Sequence, residues 1–297
     1  MDINQLNASF GIPGQIDFIN GPGNLPFIKV SNQCATALVS LLGAQILSYK
    51  PVTESADMLF LSKLSRYEDG TAIRGGIPVC WPWFGPDPLG LQRPNHGFVR
   101  NHFWHVIQTA STSTETIITL QFSENQKAGR TWKHPFTLLL TLTVAETLSL
   151  QLTTQNNGEK PFAITQAFHT YFNVSHINAV QVLGLEDCRY FDKLDQGKEK
   201  HQTGHVTITE AVDRIYEDID NHVTLNDPGF NRRIEINSQH CRTGVVWNPW
   251  TKAMPDLEPD DYQRFVCVET GNIAFDLIQI PPGGEHRLLT NFRIVPV

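Results

Sequence analysis

Cysteines are few in the 297-residue sequence, no two form a CxxC pair, and no long apolar run interrupts it. Cys34, Cys80, Cys188, Cys241 and Cys267 are odd in number and widely scattered, so neither a disulfide framework nor a zinc ribbon is suggested. Reduced thiols in a cytosol are the simpler reading. No apolar stretch approaches the roughly 18 residues of a membrane span, and the opening MDINQLNASFGIPGQ lacks the basic and apolar regions of a signal peptide. A cytoplasmic location is therefore expected. Positive charge is also short, with 23 Lys+Arg against 30 Asp+Glu and a formal charge of −7. General attraction to nucleic acid or anionic lipid is disfavoured, and any anionic ligand would need a local cluster of cations. There is no GxSxG elbow, P-loop or GxGxxG, and Pro281-Pro282-Gly283-Gly284 reads as a turn.

What the sequence does have is a period of two. Phe136, Leu138, Leu140, Leu142 and Val144 share one parity; after Ala145-Glu146-Thr147 a second row follows at Leu148, Leu150 and Leu152, until Asn156-Asn157-Gly158 ends it. The pair predicts a hairpin with an apolar face. Similar stretches recur at Phe27–Val30, Ile117–Phe122, Val180–Leu185, Val206–Thr209, Val223–Leu225, Ile234–Ile236, Val245–Trp247, Phe265–Val268, Ile273–Ile280 and Asn291–Val295. More than ten short strands, 21 Gly and 18 Pro for turns, and no βαβ alternation or 20–50-residue repeat predict an all-β protein built as a large antiparallel sandwich. No Ser/Gly-rich linker divides it, so residues 1–297 are expected to form one domain.

The stretch from Ile73 to Arg100 breaks this pattern. Ile73 to Pro86 is too rich in Pro and Gly for a central strand and too aromatic for an ordinary exposed loop, so it must fold back on the body. Gly97, in Asn95-His96-Gly97-Phe98-Val99-Arg100, allows a close backbone approach. Arg74 and Arg100 flank this loop in apolar or Gly-rich surroundings, where a guanidinium needs an acid or a ligand anion. A structural ion pair and a shared ligand are both open for them. Trp81 and Trp83 suit either stacking on a sugar or packing in the core.

His169 lies in Ala167-Phe168-His169-Thr170-Tyr171-Phe172, where a strand would put it on the face of Tyr171. Glu269 closes the apolar run Phe265–Val268, and a carboxylate there is either paired or functional. Asp213 has Arg214 beside it as the simplest partner. The pairs His102/His105 and His201/His205 have ligand-like spacing without an acidic or Cys companion, so surface histidines are the better reading and no metal is expected.

Taken together, the motifs beginning at Arg74 (RGGIPVCWPWFGP), His96 (HGFVR), Phe168 (FHTYFNV), Thr209 (TEAVDRIY), Val245 (VVWNPW) and Phe265 (FVCVET) resemble those of the glucose-6-phosphate 1-epimerases. These hexose-6-phosphate mutarotases belong to the galactose-mutarotase-like superfamily. The resemblance runs in order over roughly residues 25 to 295. It implies a β-supersandwich that interconverts the α and β anomers of glucose 6-phosphate without metal, nicotinamide or covalent intermediate. By position, His169 and Glu269 match the catalytic residues, and Arg74, Arg100 and Asp213 match substrate-binding positions. Asn95 falls where some relatives carry Gln and others a small residue, and His96 follows it in or near the pocket.

Anomerisation asks for such a set. One proton must leave the C1 hydroxyl while another reaches the ring oxygen, so two groups flank the hemiacetal. The expectation is Glu269 as base at O1 and a protonated His169 as acid at the ring oxygen. Its partner would be a small-molecule hexose 6-phosphate, with a monomer expected and no nucleic acid or membrane. Which arginine meets the phosphate is open. The competing readings are an aldose 1-epimerase for unphosphorylated sugars, which the arginine pair disfavours, and a non-catalytic sugar-phosphate-binding module.

Overall fold

Where every second side chain is apolar, the chain pairs into antiparallel strands. The computed structural model describes residues 1–123 and 132–297, and among them one eight-residue helix, Ile3–Phe10, precedes an all-β body. Phe136–Val144 pairs with Leu148–Asn156, with Leu140 opposite Leu152 and Leu142 opposite Leu150, so both leucine rows cover one face. Leu138 through Leu152 at these alternate positions are at most 1% exposed. Each such burial contributes roughly 1.5–3 kcal/mol. This hairpin sits within a nine-stranded sheet that also holds Arg232–Gln239 and the long strand Glu285–Pro296.

A second sheet of eight strands packs against the first. Its path runs Lys198–His201, Arg189–Asp192, Val212–Glu217, Thr243–Asn248, Phe265–Asn272, Gln166–Phe168 and Val79–Cys80, with Tyr171–Asn173 also paired to Phe265–Asn272. Val266 and Val268 of this sheet share one core cluster with Leu150, Leu152, Leu288 and Phe292 of the other. Phe172 meets Phe292 edge to face at 5.6 Å, and the Thr270 and Thr290 hydroxyls lie 2.7 Å apart. The result is the predicted antiparallel sandwich. A four-stranded sheet from Ile16–Asn20 to Gln45–Pro51 adds to the same core. No described helix is long and apolar enough to cross a membrane.

Two local expectations change. The stretch Ile273–Ile280 is not one strand: the chain turns at Ala274, where φ is 52°, and resumes as a strand only at Ile278–Ile280. Asp276 explains the turn, because its carboxylate accepts from the Arg242 N–H and the Asn272 amide at 2.8 Å each. His169 likewise lies in a break between Gln166–Phe168 and Tyr171–Asn173 rather than inside a strand. Its backbone N–H turns to the Pro78 carbonyl, 3.0 Å away, instead of continuing the ladder with Phe265–Asn272.

The Pro/Gly-rich loop folds back as expected. Val79–Cys80 is a two-residue strand at the sheet edge, and Trp81 and Trp83 are buried. Their indole N–H groups donate to Thr154 Oγ1 at 3.1 Å and to the Pro94 carbonyl at 3.0 Å, so both tryptophans are core-packing residues. Gly97 sits at φ +74°, and a Cβ there would lie 1.7 Å from the Trp81 carbonyl oxygen. Only glycine permits that approach.

Candidate active site

Alternation along three neighbouring strands builds a floor of two carboxyl groups among apolar side chains on the outer face of the eight-stranded sheet. In register, Asp213 lies opposite Trp247 and Ile215 opposite Val245, which in turn faces Glu269. These five side chains therefore share one face, and they line a cavity of about 310 Å³. The loop bearing Phe84, Asn95, His96 and Arg100 walls one side, and Arg74, His169, Lys193 and Met254 complete it. All seven residues singled out in the sequence line this cavity: Arg74, Asn95, His96, Arg100, His169, Asp213 and Glu269. A larger groove of about 490 Å³ beside the N-terminal helix brings no imidazole to a carboxylate.

Glu269 and His169 form the centre. His169 Nδ1 lies 3.3 Å from Glu269 Oε1, both side chains being almost fully buried. No hydrogen bond joins them, and His169 Nδ1 and Glu269 Oε2 lack any hydrogen-bond partner among the described residues. Both residues line the cavity, so a molecule bound there can reach these groups. The His169 ring stacks on Tyr171, 4.8 Å between centroids with planes 7° apart, which fixes its orientation. Tyr171 in turn accepts a hydrogen bond from Arg74 Nη1 at 2.7 Å.

Burial decides the protonation of the pair. Desolvation, with Asp213 nearby, pushes the Glu269 carboxyl well above the usual range. Desolvation, reinforced by His96, Arg100 and Arg74, holds His169 well below the usual imidazole range. Burial thus opposes the charged form of each group, favouring a neutral carboxyl on Glu269 and a neutral imidazole on His169, while their 3.3 Å separation lets the two titrate as a pair. For the protonated His169 expected from the sequence, the adjacent carboxylate favours the imidazolium, and burial with the arginines opposes it.

A stability consequence follows. An unfolded Glu ionises above its ordinary pKa while the folded one keeps its proton, so native stability declines as pH rises from the unfolded pKa towards the folded one. Glu269→Gln removes that penalty. The variant should melt about 2–4 °C or more above the parent at pH 8, with the gap closing towards pH 4, as read by calorimetry. A gap that does not vary with pH would contradict the neutral Glu269.

His96 has a different character. Its Nδ1 accepts from the Gly85 N–H at 3.3 Å, and burial together with Arg100, Arg74 and Lys193 lowers its pKa to about 3. It is a neutral hydrogen-bonding wall at physiological pH rather than an acid. Its ring meets His169 edge to face at 5.4 Å and Phe84 at 4.7 Å. Its backbone at φ 63° is left-handed, a strain typical of functional loops.

The two arginines part company. Arg74 Nε pairs with Asp256 Oδ2 at 2.9 Å, so the structural ion pair holds for it. Arg100 has no carboxylate within ion-pair distance among the described residues; its Nη2 donates to the Asn95 carbonyl at 2.9 Å and its buried Nε has no partner. Asp213 does not pair with Arg214, since alternation sends the two to opposite faces. Arg214 turns to Gln202 at 3.2 Å and to the Tyr190 ring. Asp213 is left to the cavity, its carboxyl raised by burial.

His169, Cys267 and Glu269 place an imidazole, a thiol and a carboxylate within 4.8 Å of one another, the one such buried trio among the described residues. Burial holds the Cys267 thiol well above its ordinary range, which opposes the thiolate a metal would need. The other spaced histidines lie elsewhere: His105 and His201 are exposed, His205 pairs with Glu186, and His102 bonds the Phe98 carbonyl. Sequence reasoning missed Trp247, Lys193 and Asp256 as individual residues. Trp247 carried a signal in its parity with Val245.

A sandwich whose sheet face holds a carboxylate beside an imidazole, walled by polar and aromatic groups, defines a sugar-anomerising enzyme of the mutarotase class. The chain belongs to the aldose 1-epimerase family, whose sequence pattern matches residues 26–293. It is 39% identical over 251 residues, 83% of each chain, to a protein of Escherichia coli K12 named "Putative glucose-6-phosphate 1-epimerase". A protein of Cenchrus ciliaris with the same name is 31% identical over 278 residues, 89% of this chain and 82% of the relative. The crystal structure of a "putative mutarotase" from Salmonella typhimurium superposes with a TM-score of 0.90 at 32% identity, covering 99% of both chains. The fold is thus the galactose-mutarotase-like sandwich.

Proposed function

We propose that the chain interconverts the α and β anomers of glucose 6-phosphate, acting as a single domain over residues 1–297 and as a cytoplasmic monomer. Relatives bearing the name "Putative glucose-6-phosphate 1-epimerase" support the substrate. One observation carries the phosphate: Arg100 enters the cavity with no carboxylate partner and a buried, unbonded Nε. A hexose 6-phosphate brings about −1.5 to −2 charges, and a guanidinium fork matches its oxygens. Arg74, already held by Asp256 and Tyr171, is left to orient sugar oxygens beside His169.

Catalysis moves the one proton of the Glu269–His169 pair. Burial is the largest cause holding His169 down; the bound phosphate offsets the added push of Arg100 and so favours the protonated imidazole that ring opening requires. The Glu269 carboxylate then takes the O1 proton as His169 gives its own to the ring oxygen, and the C1–O5 bond opens to the aldehyde. Rotation about C1–C2 presents the other carbonyl face, and closure returns both protons. Asn95, His96 and Asp213 hold sugar hydroxyls. A non-catalytic module would have no use for the open acid–base pair.

The test compares kcat/KM for glucose 6-phosphate and glucose by polarimetry. The phosphorylated sugar should be preferred, and Arg100→Met should cut that preference roughly tenfold to a hundredfold, the range of a lost charge-assisted hydrogen bond. Equal efficiency on both sugars in the parent would identify an aldose 1-epimerase for free sugars instead.

A further inference from the structure

The hairpin Arg189–Asp192 to Lys198–His201 lies at the edge of the eight-stranded sheet, next to the strand of Asp213. Its tip is a short 3-10 turn, Lys193–Asp195, capped by Asp192, whose carboxylate accepts from the Leu194 N–H at 3.0 Å. Nearly every charge on this hairpin is committed. Lys200 pairs with Asp192 at 2.8 Å and Asp195 at 3.0 Å, Lys198 pairs with Asp195 at 2.9 Å, and Arg189 pairs with Glu199 at 3.6 Å and Glu217 at 2.6 Å. Lys193 is the exception: it has no carboxylate within ion-pair distance among the described residues, and it lines the cavity.

Its position is set rather than incidental. Asp192 lies in register with Arg214, so the next residue of the hairpin comes over the neighbouring Asp213. The Lys193 charge reaches both Asp213, whose carboxyl it acts to lower, and His96, whose pKa it helps depress together with Arg100 and Arg74. Three cations from separate stretches of the chain, Arg74, Arg100 and Lys193, therefore line the same cavity as His96 in a protein of net charge −7. One of them, Arg74, already has an acid. Arg100 and Lys193 have no carboxylate within ion-pair distance among the described residues, Asp213 acting on Lys193 only from further away.

We infer that Lys193 is a specificity-determining residue: the hairpin tip holds its ammonium over the cavity mouth, where it meets the phosphate of the substrate opposite Arg100. This rests on the glucose 6-phosphate reading above. The clamped Asp192, Asp195, Lys198 and Lys200 pre-set the tip, so little ordering is needed on binding. An ammonium is a point charge on a flexible stem, suited to a phosphate whose position shifts as the ring opens and closes.

The test measures anomer exchange on glucose 6-phosphate and on glucose in the parent, Lys193→Met and Lys193→Arg, with inorganic phosphate as competitive inhibitor. Lys193→Met keeps the stem and removes the charge. Its preference for glucose 6-phosphate over glucose should fall roughly tenfold to a hundredfold, with the loss in KM rather than kcat. The inhibition constant of phosphate should rise in parallel, and Lys193→Arg should restore both. A parent that prefers glucose 6-phosphate, with Lys193→Met matching it in KM and in phosphate inhibition, overturns this inference alone. A parent without preference for glucose 6-phosphate overturns the substrate reading on which it rests.

Discussion

Glu269→Gln should slow anomer exchange on glucose 6-phosphate by about 10²–10⁴-fold, the usual contribution of one positioned proton-transfer group. The loss should fall on kcat, because glutamine keeps the volume of the carboxyl and can still hydrogen-bond O1 but cannot take its proton. Glu269 sits at an alternate position of Phe265–Asn272, a strand buried on both faces, so the substitution leaves packing unchanged. Slower catalysis should accompany a more stable fold at alkaline pH, since the buried carboxyl destabilises the free protein. Near-parental exchange by magnetisation-transfer NMR would remove Glu269 from the chemistry.

His169→Ala should lose exchange by a similar factor of about 10²–10⁴, for the complementary reason that no group then delivers a proton to the ring oxygen. Here the pH profile distinguishes the two members of the pair. On the proposed mechanism the parent works while the pair holds one proton. With His169 held low and Glu269 held high, kcat/KM should be level through neutrality. It falls in acid as a second proton binds His169, and in alkali as the proton of Glu269 is lost. Without His169 the acid limb should move to lower pH or vanish, because no imidazole is left to take the second proton. A parental acid limb in His169→Ala would assign that limb to another group.

The sandwich was legible in the sequence because period-two alternation directly encodes a one-sided face: the rows from Phe136 to Val144 and from Leu148 to Leu152 become the hairpin they describe. The break at Ile273 was not legible. It depends on Asp276 reaching Arg242 and Asn272, a tertiary contact with no local pattern. The cavity-lining residues stood out as charges in apolar or Gly-rich surroundings, as with Arg74, Arg100 and Glu269.

Lys193 gave no such sign. A lysine among polar hairpin residues looks like solvated surface until the neighbouring ion pairs show it to have no carboxylate within ion-pair distance among the described residues. The protonation of His169 was also beyond the sequence. Carboxylate proximity and burial act on it in opposite directions, and both the depth of burial and the nearness of Arg74, Arg100 and His96 are tertiary features that no local pattern encodes. The tryptophans show the same limit: Trp81 and Trp83 are in the dense motif, yet Trp247, in an ordinary strand, lines the cavity.

The most direct measurement is two-dimensional exchange NMR on the α and β anomeric protons of glucose 6-phosphate at equilibrium, with and without the parent protein. Exchange cross-peaks should grow in proportion to protein concentration, and the protein-dependent rate should fall by about 10²–10⁴-fold with Glu269→Gln. An α/β exchange rate unchanged by the parent protein would contradict the assignment of the cavity as an anomerisation site for this sugar.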